Sequence, residues 1–171
     1  PQMGVRERRA KDQQEIAWLR EAQHATERAM DLACTTIAKA SASADGVLRH
    51  EGADLTSDRV RTMIDMLLLE LGYSNGLCIV ACGPEGGDCH NRGEGVIRTG
   101  EPVIVDIFPQ NRVTLYNGDC TRCVVHGDIP DVIRDVHAAV VKAKAAATAQ
   151  TRAGVTADSV HAATVASLKD W

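Results

Sequence analysis

Aromatic residues are scarce: one Phe, two Trp and two Tyr, 3% of 171 residues. A core built without rings must be filled by Ala, Val, Leu, Ile, Cys and Met, and those residues are plentiful in a chain that is 44% hydrophobic. No apolar run approaches the roughly 18 residues of a membrane span, so no membrane partner is expected. The first residues lack the apolar stretch of a secretory leader. There is no basic block, and the net charge is -4 from 19 basic and 23 acidic residues, which disfavours nucleic acid as a partner. The short basic group in "VRERRAK" is interleaved with acid and reads as a solvated helix end. The six cysteines lie mainly in apolar segments, which suits free thiols in a reducing, cytoplasmic compartment; their even number leaves a disulfide frame open. The chain opens on "PQM" rather than on Met, which suggests a fragment or a processed chain.

What is present is a soluble-type chain of one-domain size. Asp12 followed by Glu15 resembles a capping box and predicts a helix to about Lys39, with Ile16, Leu19, Met30, Ala33 and Ile37 near one face. Ser41 to Gly46 reads as a loop. A second helix starts at Thr56 or Ser57, with a 3.6-residue stripe of Val60, Met63, Ile64, Leu67, Leu68 and Leu71, and Gly72 as its stop. "LCIVAC" (77–82), "PVIVDIF" (102–108) and "CTRCVV" (120–125) read as strands, the last two joined by a turn around Pro109 to Asn111. A Gly-rich loop fills 83–95. Pro130 is expected in the first turn of a third helix, striped by Ile133, Val136, Val140 and Val141. Thr156 caps a fourth, with Val160 and Leu168 inward. "LTSDRVRTMIDMLL" and "VTADSVHAATVASL" share Thr, Asp, Val and Leu at equal spacing. Shared capping chemistry explains this, or a duplicated unit does; in the latter case a first repeat spans about 10–127 and a second, cut short, about 128–171.

Asp106 lies inside an apolar strand and Asp119 at the head of the next. A carboxylate in a strand is costly unless it is paired, hydrogen-bonded or bound to a cation. A hairpin would bring both to one end of a sheet, where like charges repel and a divalent ion relieves the repulsion. The competing reading puts Asp106 at a strand edge bonded to Arg112 or Arg122, with Asp119 in an Asx turn. "CTRCVVH" offers Cys120, Cys123 and His126 at a zinc-like spacing, with Cys78, Cys82 or Cys89 as a fourth ligand. In a regular strand, however, Cys120 and Cys123 face opposite ways, which favours free thiols.

The stretch "CGPEGGDCHNRGEGVIRTGEPVIVDIFPQNRVTLYNGDCTRCVVHGDIP" resembles the first half of the catalytic domain of the Xaa-Pro aminopeptidase, prolidase and creatinase family. The family pattern is a His in a polar loop, then "V-x-x-D" on a strand, then "G-D-x-T-R-T" on the returning strand. Here these are His90, Val103 to Asp106, and Gly118 to Cys123. "VRERRAKDQQEIAWLREAQHATERAM" and "GVTADSVHAA" also resemble family segments, so the likeness covers almost the whole chain. It implies an α+β pita-bread fold, incomplete, over 1–171. It further implies metal-dependent hydrolysis of Xaa-Pro peptide bonds by an aminopeptidase or dipeptidase. By the resemblance, Asp106 and Asp119 are metal ligands and His90 contacts substrate as the catalytic histidine. The cofactor implied is two divalent ions, Mn²⁺ foremost, with Co²⁺ or Zn²⁺ as alternatives, and the partner is a peptide substrate. A metal pair supplies hydroxide at neutral pH and polarises the amide carbonyl, and an imidazole can donate to the oxyanion or the leaving amine.

The sequence departs from the family in three ways. The family's further ligands, a His and two Glu, are not found, and His126, His137 and His161 stand in no matching motif; His137 is expected partly buried or at a helix edge. Cys123 replaces the usual Thr. The family's separate N-terminal domain is not present. Two carboxylates alone bind Mn²⁺ or Zn²⁺ weakly. The chain by itself is therefore expected to be inactive. The alternative is a non-catalytic peptide- or protein-binding module. In either case a homodimer or a complementary segment is expected to complete the fold.

Overall fold

The computed structural model describes residue 4 and residues 8–169; Val5 to Glu7 of the basic group, Asp170 and Trp171 lie outside the described residues. Helix α1 is Gln13–Ala38, and it begins where local chemistry sets it. The Asp12 carboxylate accepts from the Glu15 N–H at 2.8 Å, and the Asp12 N–H donates to the Glu15 carboxylate at 2.8 Å. Arg8 to Lys11 precede this helix rather than forming its end. Its buried face is made of small residues, Ala22, Ala25, Ala29 and Ala33, closed by Met30 and Ile37. Helix α2, Ser57–Glu70, is capped by Thr56 and buries Val60, Ile64 and Leu68. Gly72 follows with φ +83°, a left-handed conformation that glycine adopts without strain.

Eight short strands accompany these helices among the described residues. Strands β1 (Ser41–Ala42), β2 (Leu48–His50) and β3 (Ala53–Asp54) form a small antiparallel sheet. The expected loop at Ser41 to Gly46 is thus partly strand: Ser41 pairs with Arg49 and Ala42 with Leu48. Strand β4 (Tyr73–Ser74) pairs with β7 (Gln110–Asn111). The principal sheet has the order β5-β6-β8, with β5 Ile79–Cys82, β6 Pro102–Ile107 and β8 Cys120–Val125, all antiparallel. A 3-10 turn at Gly83–Gly87 follows β5. The expected tight turn at 109–111 is replaced by a longer connection from 108 to 119, because Gln110 and Asn111 leave the hairpin to pair with β4.

The pleat of this sheet divides its side chains cleanly. Val80, Cys82, Val103, Val105, Ile107 and Cys120 are buried in the core with the α1 and α2 faces. Ile79, Ile104 and Asp106 are half-buried on the opposite face, and Thr121 and Cys123 are exposed there. Burying six aliphatic and thiol side chains on one face contributes roughly 1.5–3 kcal/mol per large side chain relative to exposure.

A second compact unit, Ile129–Trp171, holds helices α3 (Asp131–Gln150) and α4 (Ala157–Leu168), which pack on each other. Pro130 is the N-cap residue of α3, one position ahead of its expected place. The Thr156 hydroxyl accepts from the Ser159 N–H at 3.3 Å and caps α4. The buried residues of α3 are Ala139 and Ala143, not the predicted valine stripe. Val140 and Val141 are 55% and 52% exposed, and Val136, Leu168 and His137 are exposed as well.

Candidate functional site

Asp106 sits on β6, the central strand of the sheet, directly opposite Thr121 on β8 and Ile79 on β5. The Thr121 hydroxyl donates to Asp106 Oδ1 at 2.5 Å, so one carboxylate oxygen has a fixed partner. This replaces the reading in which Asp106 lies at a strand edge and bonds Arg112 or Arg122; the Arg122 guanidinium instead donates to the Thr121 carbonyl at 2.8 Å. Asp119 lies two residues ahead of Thr121, in the connection that enters β8 at Cys120. The Asp119 side chain is exposed, and its backbone N–H donates to Gln23 Oε1 on α1 at 3.2 Å, in place of an Asx turn. Gly118 fixes that approach: a Cβ there would lie 2.0 Å from Thr26 Oγ1 and 2.5 Å from the Ala22 carbonyl oxygen. Among the described residues, neither carboxylate takes part in an ion pair.

His90 is exposed on the loop after β5. Hydrogen bonds within the loop shape it. The Asp88 carboxylate accepts from the His90 N–H at 2.9 Å, and Asn91 Oδ1 accepts from the Gly93 N–H at 2.9 Å. The Gly83–Gly87 turn just ahead of the loop lies over the sheet face that carries Asp106, because Gly86 packs against Ile104, where an added Cβ would come within 2.9 Å of the side chain. Its far end is pinned to β5 by the Val80 N–H, which donates to the Arg92 carbonyl at 3.0 Å. Gly93 is left-handed at φ +78°, and a Cβ there would stand 1.9 Å from the Val80 carbonyl oxygen. The Asp88, Cys89 and His90 ligand atoms lie within 4.8 Å of one another. All three are consecutive and exposed, so they form no preformed cage.

The cysteines divide by face. Cys120 is buried on the helix side and Cys123 is exposed on the other, so the two do not converge as a zinc pair. Cys78 and Cys82 are buried, Cys34 is half-buried and Cys89 is exposed. Burial pushes the Cys82 thiol up to about 11, and its bond to the Glu101 carboxylate adds to the rise. His126 is half-buried between the Ala40 carbonyl and the Thr99 hydroxyl, each 2.8 Å from a ring nitrogen. It is a structural tie between loops.

Sequence reasoning missed two residues. Thr121 was visible only as part of a motif, although its register opposite Asp106 follows once the strands pair. Arg61 donates to the Arg92 and Gly93 carbonyls. The available signal was a charged residue on the Val60–Ile64–Leu68 stripe of α2.

Two helices laid on an antiparallel sheet whose other face carries the Asp106 carboxylate define an α+β fold of the pita-bread type. The model of metallopeptidase family M24 matches residues 17–170, and the chain belongs to that family. Dipeptidase PepE from Mycobacterium ulcerans is similar at 26% identity and a TM-score of 0.78, over 98% of this chain and 42% of that one. Prolidase from Pyrococcus furiosus matches at 20% identity and a TM-score of 0.75, over 94% and 44%. The X-Pro aminopeptidase from Thermotoga maritima MSB8 matches at 21% identity and a TM-score of 0.76, over 94% and 42%. The chain thus spans about two fifths of the length of the solved structures it matches. Comparison with curated proteins gives no match.

Proposed function

We propose that this chain carries one side of a two-metal hydrolytic site for Xaa-Pro peptides, in a protein that acts as an aminopeptidase or dipeptidase. The observation that supports this most is the hydroxyl-bound Asp106 carboxylate on the open sheet face, with the exposed Asp119 just ahead of β8 and the Gly83–Gly87 turn packed on Ile104 of that face. The donor chemistry fits hard or borderline cations such as Mn²⁺, because both groups are carboxylates and one is held by a hydroxyl rather than neutralised by a cation. Asp106 and Asp119 would hold the ions. When bound, the ions supply an activated water and polarise the scissile carbonyl. Thr121 fixes the orientation of the Asp106 carboxylate by donating to Oδ1, which leaves Oδ2 for a ligand. His90 donates a hydrogen bond from its imidazole to the oxyanion or the leaving amine. Five family ligands reduce to two in this chain, so tight binding and turnover require the complementary half of the fold.

The test is Mn²⁺-dependent hydrolysis of an Xaa-Pro dipeptide by the intact gene product, wild type against Asp119→Asn and His90→Ala. A loss of two or more orders of magnitude in kcat/KM is expected for Asp119→Asn, and about 10²-fold or more for His90→Ala. Full activity in Asp119→Asn would refute the reading.

A second reading draws on the half-exposed Ile79, Ile104 and Phe108 of the same face. On it, the 171-residue chain is a non-catalytic binding module that pairs with a second copy. Light scattering separates the two readings: a stable homodimer without Mn²⁺-dependent hydrolysis favours the module.

A further inference from the structure

Arg61 is the one buried charged side chain among the described residues, and nothing in the metal-and-carboxylate reading uses it. It lies on α2 between Val60 and Ile64, and its side chain is 10% exposed. Burying a guanidinium is costly unless its donors are met. Here they are met across the fold. Nη1 donates to the Arg92 carbonyl and, at 2.9 Å, to the Gly93 carbonyl, 31 and 32 residues away. Nη2 donates to the Asp58 carboxylate at 2.5 Å, one turn earlier on the same helix. The planar fork is thereby aimed by an exposed carboxylate behind it and grips two successive carbonyls in front.

Those carbonyls close the loop that carries His90. Upstream of them, the bonds at Asp88, His90 and Asn91 lie within the loop and fix its shape but not its place. Attachment to the scaffold at this end comes from the Val80 N–H, from Arg61 and, two residues beyond Gly93, from the Ser57 N–H, which donates to the Gly95 carbonyl at 3.0 Å. Gly93 permits it, since any Cβ there would strike the Val80 carbonyl and push the loop off the strand. A lysine would supply one point charge in place of the fork, and an alanine would leave the Gly93 carbonyl buried without a donor.

We propose that Arg61 is a positioning residue for His90: a buried guanidinium that clamps the Arg92 and Gly93 carbonyls and so holds the 88–93 loop against β5, the strand beside the one that carries Asp106. The role assigned to His90 rests on the hydrolytic reading above; the clamp itself does not. The test is amide hydrogen exchange on the full chain, comparing wild type, Arg61→Lys and Arg61→Ala. In Arg61→Ala, exchange at Asp88 to Glu94 is expected to rise about 10- to 100-fold, the range for losing one or two charge-assisted hydrogen bonds, while α1 and β6 amides stay protected. Arg61→Lys should restore part of that protection. Loop exchange unchanged in Arg61→Ala, or an equal rise over the whole chain in both variants, would overturn the proposal. In the Mn²⁺-loaded gene product, Arg61→Lys should lower kcat with KM nearly unchanged, which a purely structural role would not do. If His90→Ala hydrolyses normally while the loop still loosens in Arg61→Ala, the clamp stands and the role of His90 falls.

Discussion

The two faces of the β5-β6-β8 sheet are made from the same three strands and follow opposite rules. On the helix side, Val103, Val105 and Ile107 are fully buried, and every position is apolar or thiol until Arg122 at the rim. On the other side, the same strands bury Ala81 but present Ile79, Ile104, Asp106, Thr121 and Cys123, none of them fully buried. The first face binds the sheet to α1 and α2. The second spends strand positions on a carboxylate and a hydroxyl that add little to the core. A chain that places a hydrogen-bonded Asp at the centre of a sheet, rather than at its edge, gives up packing there for a directed oxygen donor.

Substitutions on the two faces should therefore have different consequences. The largest stability effect is expected from Ile107→Ala on the buried face, about 2–5 kcal/mol of unfolding free energy, read as a lower urea midpoint. Gly118→Ala should come next, at roughly 1–3 kcal/mol, because the added methyl meets both the Thr26 hydroxyl and the α1 backbone at Ala22, and the backbone cannot turn aside. A similar midpoint for Gly118→Ala and wild type would show that α1 can shift away freely.

A pH effect should also come from the buried face. The Cys82 thiol ionises at about 11 in the folded chain, against 9.0 as its ordinary value. Below pH 9 both folded and unfolded chains keep the proton, so stability is unaffected. Between about pH 9 and 11 the unfolded chain releases it first, and stability falls as pH rises through that window. Burial raises Cys34 and Cys78 in the same direction. Urea midpoints measured from pH 8 to 11 should decline, and the slope should be shallower in Cys82→Ala. The smallest stability change belongs to the open face: Thr121→Val should cost under about 1 kcal/mol, since its bond to Asp106 is solvent-exposed. The same variant should weaken Mn²⁺ binding, checked by calorimetric titration.

Much of this contrast was legible in the sequence, and for local reasons. Asp12 with Glu15, and Thr56, fix helix starts through bonds that span three residues. The period of Val60, Ile64 and Leu68 marks a face whatever covers it. Asp106 and Asp119 stood out as charges in or beside apolar runs, while the role proposed for them rests on the resemblance to the family. Features set by distant partners were not legible. The strand at Ser41–Ala42 exists only because Leu48 and Arg49 return beside it. The valines of α3 form a good stripe, yet the buried positions of that helix are Ala139 and Ala143, because which face is covered depends on where a partner element docks. Arg61 reads as a flaw in an apolar stripe until the carbonyls of Arg92 and Gly93 are seen in front of it. Thr121 gains its role only from register, since nothing in "CTRC" says which residue will stand opposite Asp106.

The most direct test of the central idea is Mn²⁺ binding to the intact gene product, followed by electron paramagnetic resonance for wild type and Asp106→Asn. Asn keeps the size and can still accept from Thr121, but it lacks the charge that a cation needs. A loss of bound Mn²⁺ in Asp106→Asn, with the urea midpoint within about 1 kcal/mol of wild type, is the expected result. Equal Mn²⁺ binding by the two proteins would contradict the assignment of this face as a metal site.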